Sequence, residues 1–197
     1  MEKQQALIIV KSDGVQRGLM GKIIQRFERV GLTIIGFKFV WADKETVVAH
    51  YPETDVWFGK VGERTLGNYA KKGLDAKKIM GTNDPIEIGK LVKKWLIEYF
   101  MESPVLVMAL EGYDCIEIVR KLSGNTIPLL AAPGTIRGDF SHHSVDHANE
   151  NAIPLRNILH ASDAVEDGIK EVNLWFKKDE LFNAKRADEH IILGKKK

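Results

Sequence analysis

Three short aliphatic-rich runs, at residues 6–10, 32–41 and 104–110, are separated by stretches whose apolar residues recur at helical spacing. Runs of that length and composition read as buried strands. Strands that alternate with amphipathic helices must stack as a sheet under a helical layer. The alternation therefore excludes an all-helical bundle and an all-β sandwich.

Ala6–Val10 ends at Lys11, and Leu19, Ile23, Ile24 and Phe27 then share one helix face up to Gly31. Leu32–Trp41 is the second strand. Asp43 is placed to cap a helix running towards His50 and Tyr51, which Pro52 ends. Asp84-Pro85 opens an amphipathic helix through Ile88, Leu91, Val92, Trp95, Leu96 and Tyr99. Pro104–Leu110 reads as a strand, Tyr113–Leu122 as a helix and Asn157–His160 as a short strand, with Ser162 or Asp163 capping the helix that follows. Residues 59–84, rich in glycine, read as less regular, residues 123–156, rich in proline, read as mostly loop-like, and Ile191–Leu193 reads as a closing strand. This order predicts an α/β ferredoxin-like sandwich: a four-stranded antiparallel sheet covered by helices, with an added helical and loop insertion.

The chain has 197 residues, 44% of them hydrophobic, enough for one core and a single domain. Twenty-nine basic residues against 27 acidic ones leave a net charge of +2, so no dedicated nucleic-acid partner is expected. The basic exceptions are the lysines and the arginine within residues 60–78 and the tail Lys195–Lys197. The single cysteine, Cys115, cannot form an internal disulfide and fits a reducing compartment. No apolar stretch reaches the length of a membrane span or a signal peptide, so a soluble, cytoplasmic protein is expected.

The common nucleotide signatures are missing: there is no P-loop, no dinucleotide-binding glycine motif and no protein-kinase HRD or DFG. Phosphate chemistry, if present, needs another scaffold. Lys11 at a strand end, Arg120 on a helix, and Thr126 and Arg137 in the long loop offer suitable groups. Taken singly, each fits a solvent-facing residue better than a ligand group. His160 lies at a strand end just before a helix, where an imidazole can attack phosphorus and hold a phosphoryl group. Glu171, two turns into that helix, can fix the ring tautomer. Spacing alone favours a structural histidine there. Asp139, His142, His143, Asp146 and His147 form a second cluster that could hold a transition metal, although no cysteine pair or HExxH accompanies it.

Four stretches carry a resemblance to the nucleoside diphosphate kinase family: ALIIVKSDGVQRGLMGKIIQRFERVGL from residue 6, GNTIP at Gly124–Pro128, PGTIRGDF at 133–140, and NILHASDAVEDGIKEVNLWF at 157–176. The resemblance implies ping-pong transfer of a γ-phosphate between nucleoside tri- and diphosphates through a phosphohistidine at His160. It implies that Glu171 and Ser162 orient the histidine, and that Lys11, Arg120, Thr126 and Arg137 hold the phosphates. Tyr51 would line the pocket, and Asn157 with Lys11 would meet the sugar. Trp57 or Phe58 would stack on one side of the base, with Ile153–Leu155 opposite. Stacking without reading of the base edge implies tolerance of different bases. Magnesium would be held by the nucleotide phosphates, with no protein metal site, and the chain would form a hexamer or tetramer of itself. The alternative on the same fold is a catalytically silent nucleotide-binding regulatory protein. The sequence departs from the family in Ser12, where proline is usual, in Ala161, where glycine is frequent, and in insertions at about 59–90 and 141–153.

Overall fold

The structure, a computed structural model, describes residues 2–194; the tail Lys195–Lys197 lies outside the described residues. Strand β1 (Gln4–Val10) leads into α1 (Ser12–Gln16), α2 (Met20–Arg29) and β2 (Thr33–Val40). Helices α3 (Lys44–His50), α4 (Asp55–Lys71), α5 (Ala76–Met80) and α6 (Pro85–Met101) precede β3 (Val105–Gly112). Then come α7 (Cys115–Ser123), α8 (Ile136–Phe140), α9 (Val145–Glu150), β4 (Leu159–Ala161), α10 (Val165–Trp175) and α11 (Glu189–Ile192).

Among the described residues the four strands form one antiparallel sheet in the order β2-β3-β1-β4. This is the expected ferredoxin-like sandwich. β1 is interior and buried on both faces, which is why it reads as an unbroken apolar run. Ala6, Ile8 and Val10 pack with Ile23, Phe27 and Val119 on one side, while Leu7 and Ile9 pack with Phe100, Val172 and Trp175 on the other. Each such side chain taken from water contributes about 1.5–3 kcal/mol. The register sets Ile9 opposite His160 and Val10 opposite Leu159, so the sheet brings the end of β1 beside β4.

Three expectations are corrected. Residues 59–84 are mostly helical: α4 runs through Gly59, Gly62 and Gly67 and packs against α6. A Cβ at Gly62 would lie 1.8 Å from the Pro85 carbonyl oxygen, and one at Gly89 would lie 2.2 Å from that of Phe58. Gly62, in the glycine-rich stretch, and Gly89 are thus the contact points of a close helix crossing, while Gly59 and Gly67 face open space. Ile191–Leu193 is no strand; α11 covers Glu189–Ile192, and the Ile192 side chain fills the space beside Gly31. Neither Ser162 nor Asp163 caps α10, whose first turn follows Ala164 without a side-chain cap. Both are engaged elsewhere: Ser162 bonds Glu171 and Asp163 pairs with Arg120. The 123–156 loop also carries α8 and α9, capped by Thr135 and Ser144.

Candidate active site

A cavity of about 620 Å³ opens where β1, β4, α4, α6, α7 and α9 meet. Lys11, Tyr51, Trp57, Arg120, Thr126, Arg137, Asn157 and His160 all line it. Ile153, Pro154 and Leu155 line it as well, across from the α4 side. Phe58 does not; it is buried beside the α4–α6 crossing, so of that pair Trp57 faces the cavity, which Trp95 of α6 and Tyr51 line as further aromatics.

The floor of the cavity is built on a strained turn. Ile158 has φ 73°, a conformation that a β-branched residue rarely adopts. The Leu159 N–H donates to the Asn157 carbonyl at 2.8 Å, which makes Ile158 the centre of a γ-turn. Several groups hold it there. Asp13 Oδ2 accepts from the Ile158 N–H at 3.2 Å, and the Lys11 N–H donates to the Ile158 carbonyl at 2.7 Å. Arg137 donates to the carbonyls of Asn157 (3.1 Å), Gly124 (2.7 Å) and Leu159 (2.8 Å). Arg137 therefore clamps the turn, with its remaining N–H groups left for a ligand. Lys11 Nζ donates to Asn157 Oδ1 at 3.1 Å, and Asn157 Nδ2 donates to the Thr126 carbonyl at 3.0 Å.

His160 follows this turn. Its Nε2 lies 2.9 Å from Glu171 Oε1, but off the line of an ideal hydrogen bond. Glu171 Oε2 accepts from Ser162 Oγ at 2.5 Å, and Ser162 Oγ accepts from the Leu7 N–H at 2.9 Å. The carboxylate is thus tied to β1. Burial, then the charges of Lys11 and Arg137, push the His160 pKa down to about 3, so the ring is neutral near pH 7. Burial, reinforced by Arg137, lowers Lys11 to about 7. Burial raises the carboxyl of Glu171. Arg120 pairs with Asp163 at the rim, where both are largely exposed.

Several contributors were not legible in the sequence. The His50 ring meets that of His160 edge-on, with centroids 4.4 Å apart, and its Nδ1 accepts from Trp175 Nε1 at 3.3 Å. Only its position before Tyr51 hinted at it. Lys93, buried on α6, donates to the Tyr51 carbonyl (3.0 Å) and to Glu53 (2.9 Å), fixing the chain between α3 and Trp57. Ser12, the residue that replaces the usual proline, donates to the Tyr99 carbonyl at 2.6 Å and so satisfies the end of α6. The His143 and His147 ring centroids lie 5.2 Å apart, but among the described residues the only convergent metal-type group is His50, His160 and Glu171.

A sequence profile of the nucleoside diphosphate kinase family matches residues 4–57 and 76–181. The chain belongs to the nucleoside diphosphate kinase family. A nucleoside diphosphate kinase from Pyrobaculum aerophilum is 41% identical over 181 residues, 92% of this chain and 99% of that relative. The crystal structure of an NDP kinase from the same organism superposes with a TM-score of 0.90 at 40% identity, covering 92% of this chain and 100% of that one. A Borrelia burgdorferi nucleoside-diphosphate kinase, solved as a transition-state mimic with vanadate and ADP, superposes with a TM-score of 0.77 at 38% identity over 96% of both chains. This chain is accordingly a phosphotransferase that moves the terminal phosphate of a nucleoside triphosphate to a nucleoside diphosphate. No helix among the described residues is long and apolar enough to cross a membrane.

Proposed function

We propose that His160 carries the phosphoryl group of a nucleoside diphosphate kinase ping-pong reaction. The observation that supports this most directly is a neutral imidazole, backed by Glu171, at the floor of a cavity whose phosphate-binding groups are Lys11, Arg120, Thr126 and Arg137. With Nε2 facing Glu171, Nδ1 is the nitrogen left to react. Its lone pair attacks the γ-phosphorus, a nitrogen–phosphorus bond forms, and the bond to the bridging oxygen breaks. The diphosphate leaves with that oxygen and its electron pair. Positive charge then develops on the ring, and the Glu171 carboxylate balances it. A second diphosphate reverses the step. Cationic donors already in place cost no reorganisation during transfer. Tyr51, Asn157 and Lys11 complete the sugar and phosphate end, and Trp57 and Ile153–Leu155 flank the base.

Magnesium suits this cavity as a ligand of the nucleotide. Asp163 is the one carboxylate among the lining residues, and Arg120 already pairs with it. The ion would sit on the phosphates and water and neutralise phosphate charge, with Lys11, Arg120 and Arg137 on the remaining oxygens. Self-association into a hexamer or tetramer is part of the same reading. Phe37 and Phe39 on edge strand β2, and Trp41 just after it, are more than half exposed and suit a subunit contact. A cytoplasmic setting fits the unpaired Cys115.

The test is the mass of the intact protein after brief incubation with ATP and magnesium, quenched in alkali. One added phosphoryl group, absent in His160→Ala and released by GDP, is the expected result. An equal adduct in the variant, or none in either, would overturn the assignment.

A further inference from the structure

The family profile leaves residues 58–75 unmatched, and that segment is most of α4. Yet Trp57, Val61, Arg64, Thr65 and Asn68 all line the cavity. They fall at positions i, i+4, i+7, i+8 and i+11, which is one face of a helix. The added arm is therefore a third wall of the nucleotide site, extending from the aromatic plate at Trp57.

The arm is held in this position from both sides. Its crossing with α6 is a backbone contact at Gly62 and Gly89, which leaves little freedom to tilt. Across the cavity mouth, Tyr69 Oη donates to the Asn149 carbonyl at 2.7 Å, and Lys72 pairs with Asp146 at 2.7 Å. Both partners lie on α9. The added arm and α9 thus grip each other over the base end.

Arg64 is the cation on this wall. Among the described residues it has no ion-pair or hydrogen-bond partner, whereas Arg120 is paired and Arg137 is committed to three carbonyls. Side chains on a helix lean towards its N-terminus, so Arg64 leans back over Val61 towards Trp57. A guanidinium only donates hydrogen bonds. A base stacked on Trp57 with two adjacent acceptors on its edge satisfies the fork in full. Guanine offers O6 and N7 there, while adenine offers N7 beside an amino group that itself donates.

We propose that Arg64 reads the O6/N7 edge of the base and makes this enzyme favour guanine over adenine nucleotides. The inference rests on the placement of the base against Trp57 given above. It departs from the base tolerance that stacking alone would produce.

The test compares GDP and ADP as acceptors from phosphorylated enzyme, in wild type, Arg64→Met and Arg64→Lys. Wild type is expected to favour GDP by about tenfold in kcat/KM, as befits an exposed bidentate contact. Arg64→Met keeps the stem, and the ratio should fall to about one. Arg64→Lys keeps the charge without the fork and should retain less than half of the preference. IDP, which has O6 and N7 without the 2-amino group, should follow GDP. A wild-type ratio near one would overturn the proposal. So would an Arg64→Met variant that loses both substrates equally, which would make Arg64 a general attractor of phosphates. IDP behaving like ADP would also overturn it. Calorimetric titration of the unphosphorylated enzyme with GDP and ADP repeats the comparison without transfer. Failure of the His160 assignment therefore leaves this test standing.

Discussion

Asp13 and Ile158 are joined by a hydrogen bond from the Ile158 N–H to Asp13 Oδ2, across 145 positions of sequence. The bond locks a γ-turn two residues before His160. Asp13 Oδ1 meanwhile accepts from Tyr99 Oη (2.5 Å) and the Gly14 N–H (2.9 Å). A Cβ at Gly14 would lie 2.7 Å from Val10 and 3.1 Å from Ile158, so that glycine is required for the close approach. Asp13→Ala leaves buried donors unpaired and is expected to cost about 3 kcal/mol. Urea unfolding measures that loss. Phosphohistidine formation should slow more than nucleotide binding weakens, because the turn aims His160. Equal effects on rate and binding would deny the turn its aiming role.

His160 and His50 are both held near pKa 3, each chiefly by burial. An unfolded histidine titrates near 6.5, so between about 3 and 6.5 the unfolded chain binds protons that the native one refuses. Their contribution to stability is full above about pH 6.5 and is lost as pH falls through that window. Thermal melts between pH 4 and 7 should show this loss. His50→Gln should remove about half of it, since His160 alone then titrates in that window. The transfer rate itself should show no acid limb near the ordinary histidine pKa.

Lys11 is lowered to about 7 by burial and by Arg137. A bound phosphate restores its charge. Above about pH 7 the free enzyme must therefore take up a proton to bind nucleotide, and affinity should weaken as pH rises towards 10. Nucleotide phosphates, with second pKa values of about 6, are already ionised in that range. Titration calorimetry at pH 8.5 in two buffers of different ionisation enthalpy should count close to one proton taken up. Lys11→Met should abolish both the uptake and the pH slope.

Lys93 is 4% exposed and supports the segment that carries Tyr51 and Trp57. Lys93→Met removes the partner of a backbone carbonyl while Glu53 stays solvated, so the expected cost is about 1–3 kcal/mol. KM for nucleotide should rise more than kcat falls, since the base plate shifts and the histidine does not. Steady-state kinetics at fixed magnesium separates the two.

Ser12→Ala leaves the buried Tyr99 carbonyl without its 2.6 Å donor. A loss of about 1–2 kcal/mol is expected in denaturant unfolding. A change within 0.5 kcal/mol would mean that α6 has another way to satisfy its end.

The main strands and helices of the sandwich were readable because local chemistry dictates them. Aliphatic runs at β1 and β3, the Asp43 and Asp84 caps, and Gly31 at φ 89° each express a preference that neighbours in sequence can set. His160, Lys11, Arg120, Thr126, Arg137 and Asn157 were legible through the motifs that resemble the family, and the fold gathers all six around one cavity. What only tertiary structure decided depends on distant partners. Gly62 in α4 became a helix contact because α6 lies against it, and the same packing turned Phe58 inward and left Trp57 at the cavity. Ile191–Leu193 lacked a strand partner and packed as a helix beside Gly31. Arg137 became a clamp because three carbonyls converge on it, and His50 reached His160 because α3 and β4 meet across 110 residues. Periodicity reports which face of an element is apolar; which partner meets that face, and so which polar group is left free for substrate, is settled only when the elements pack.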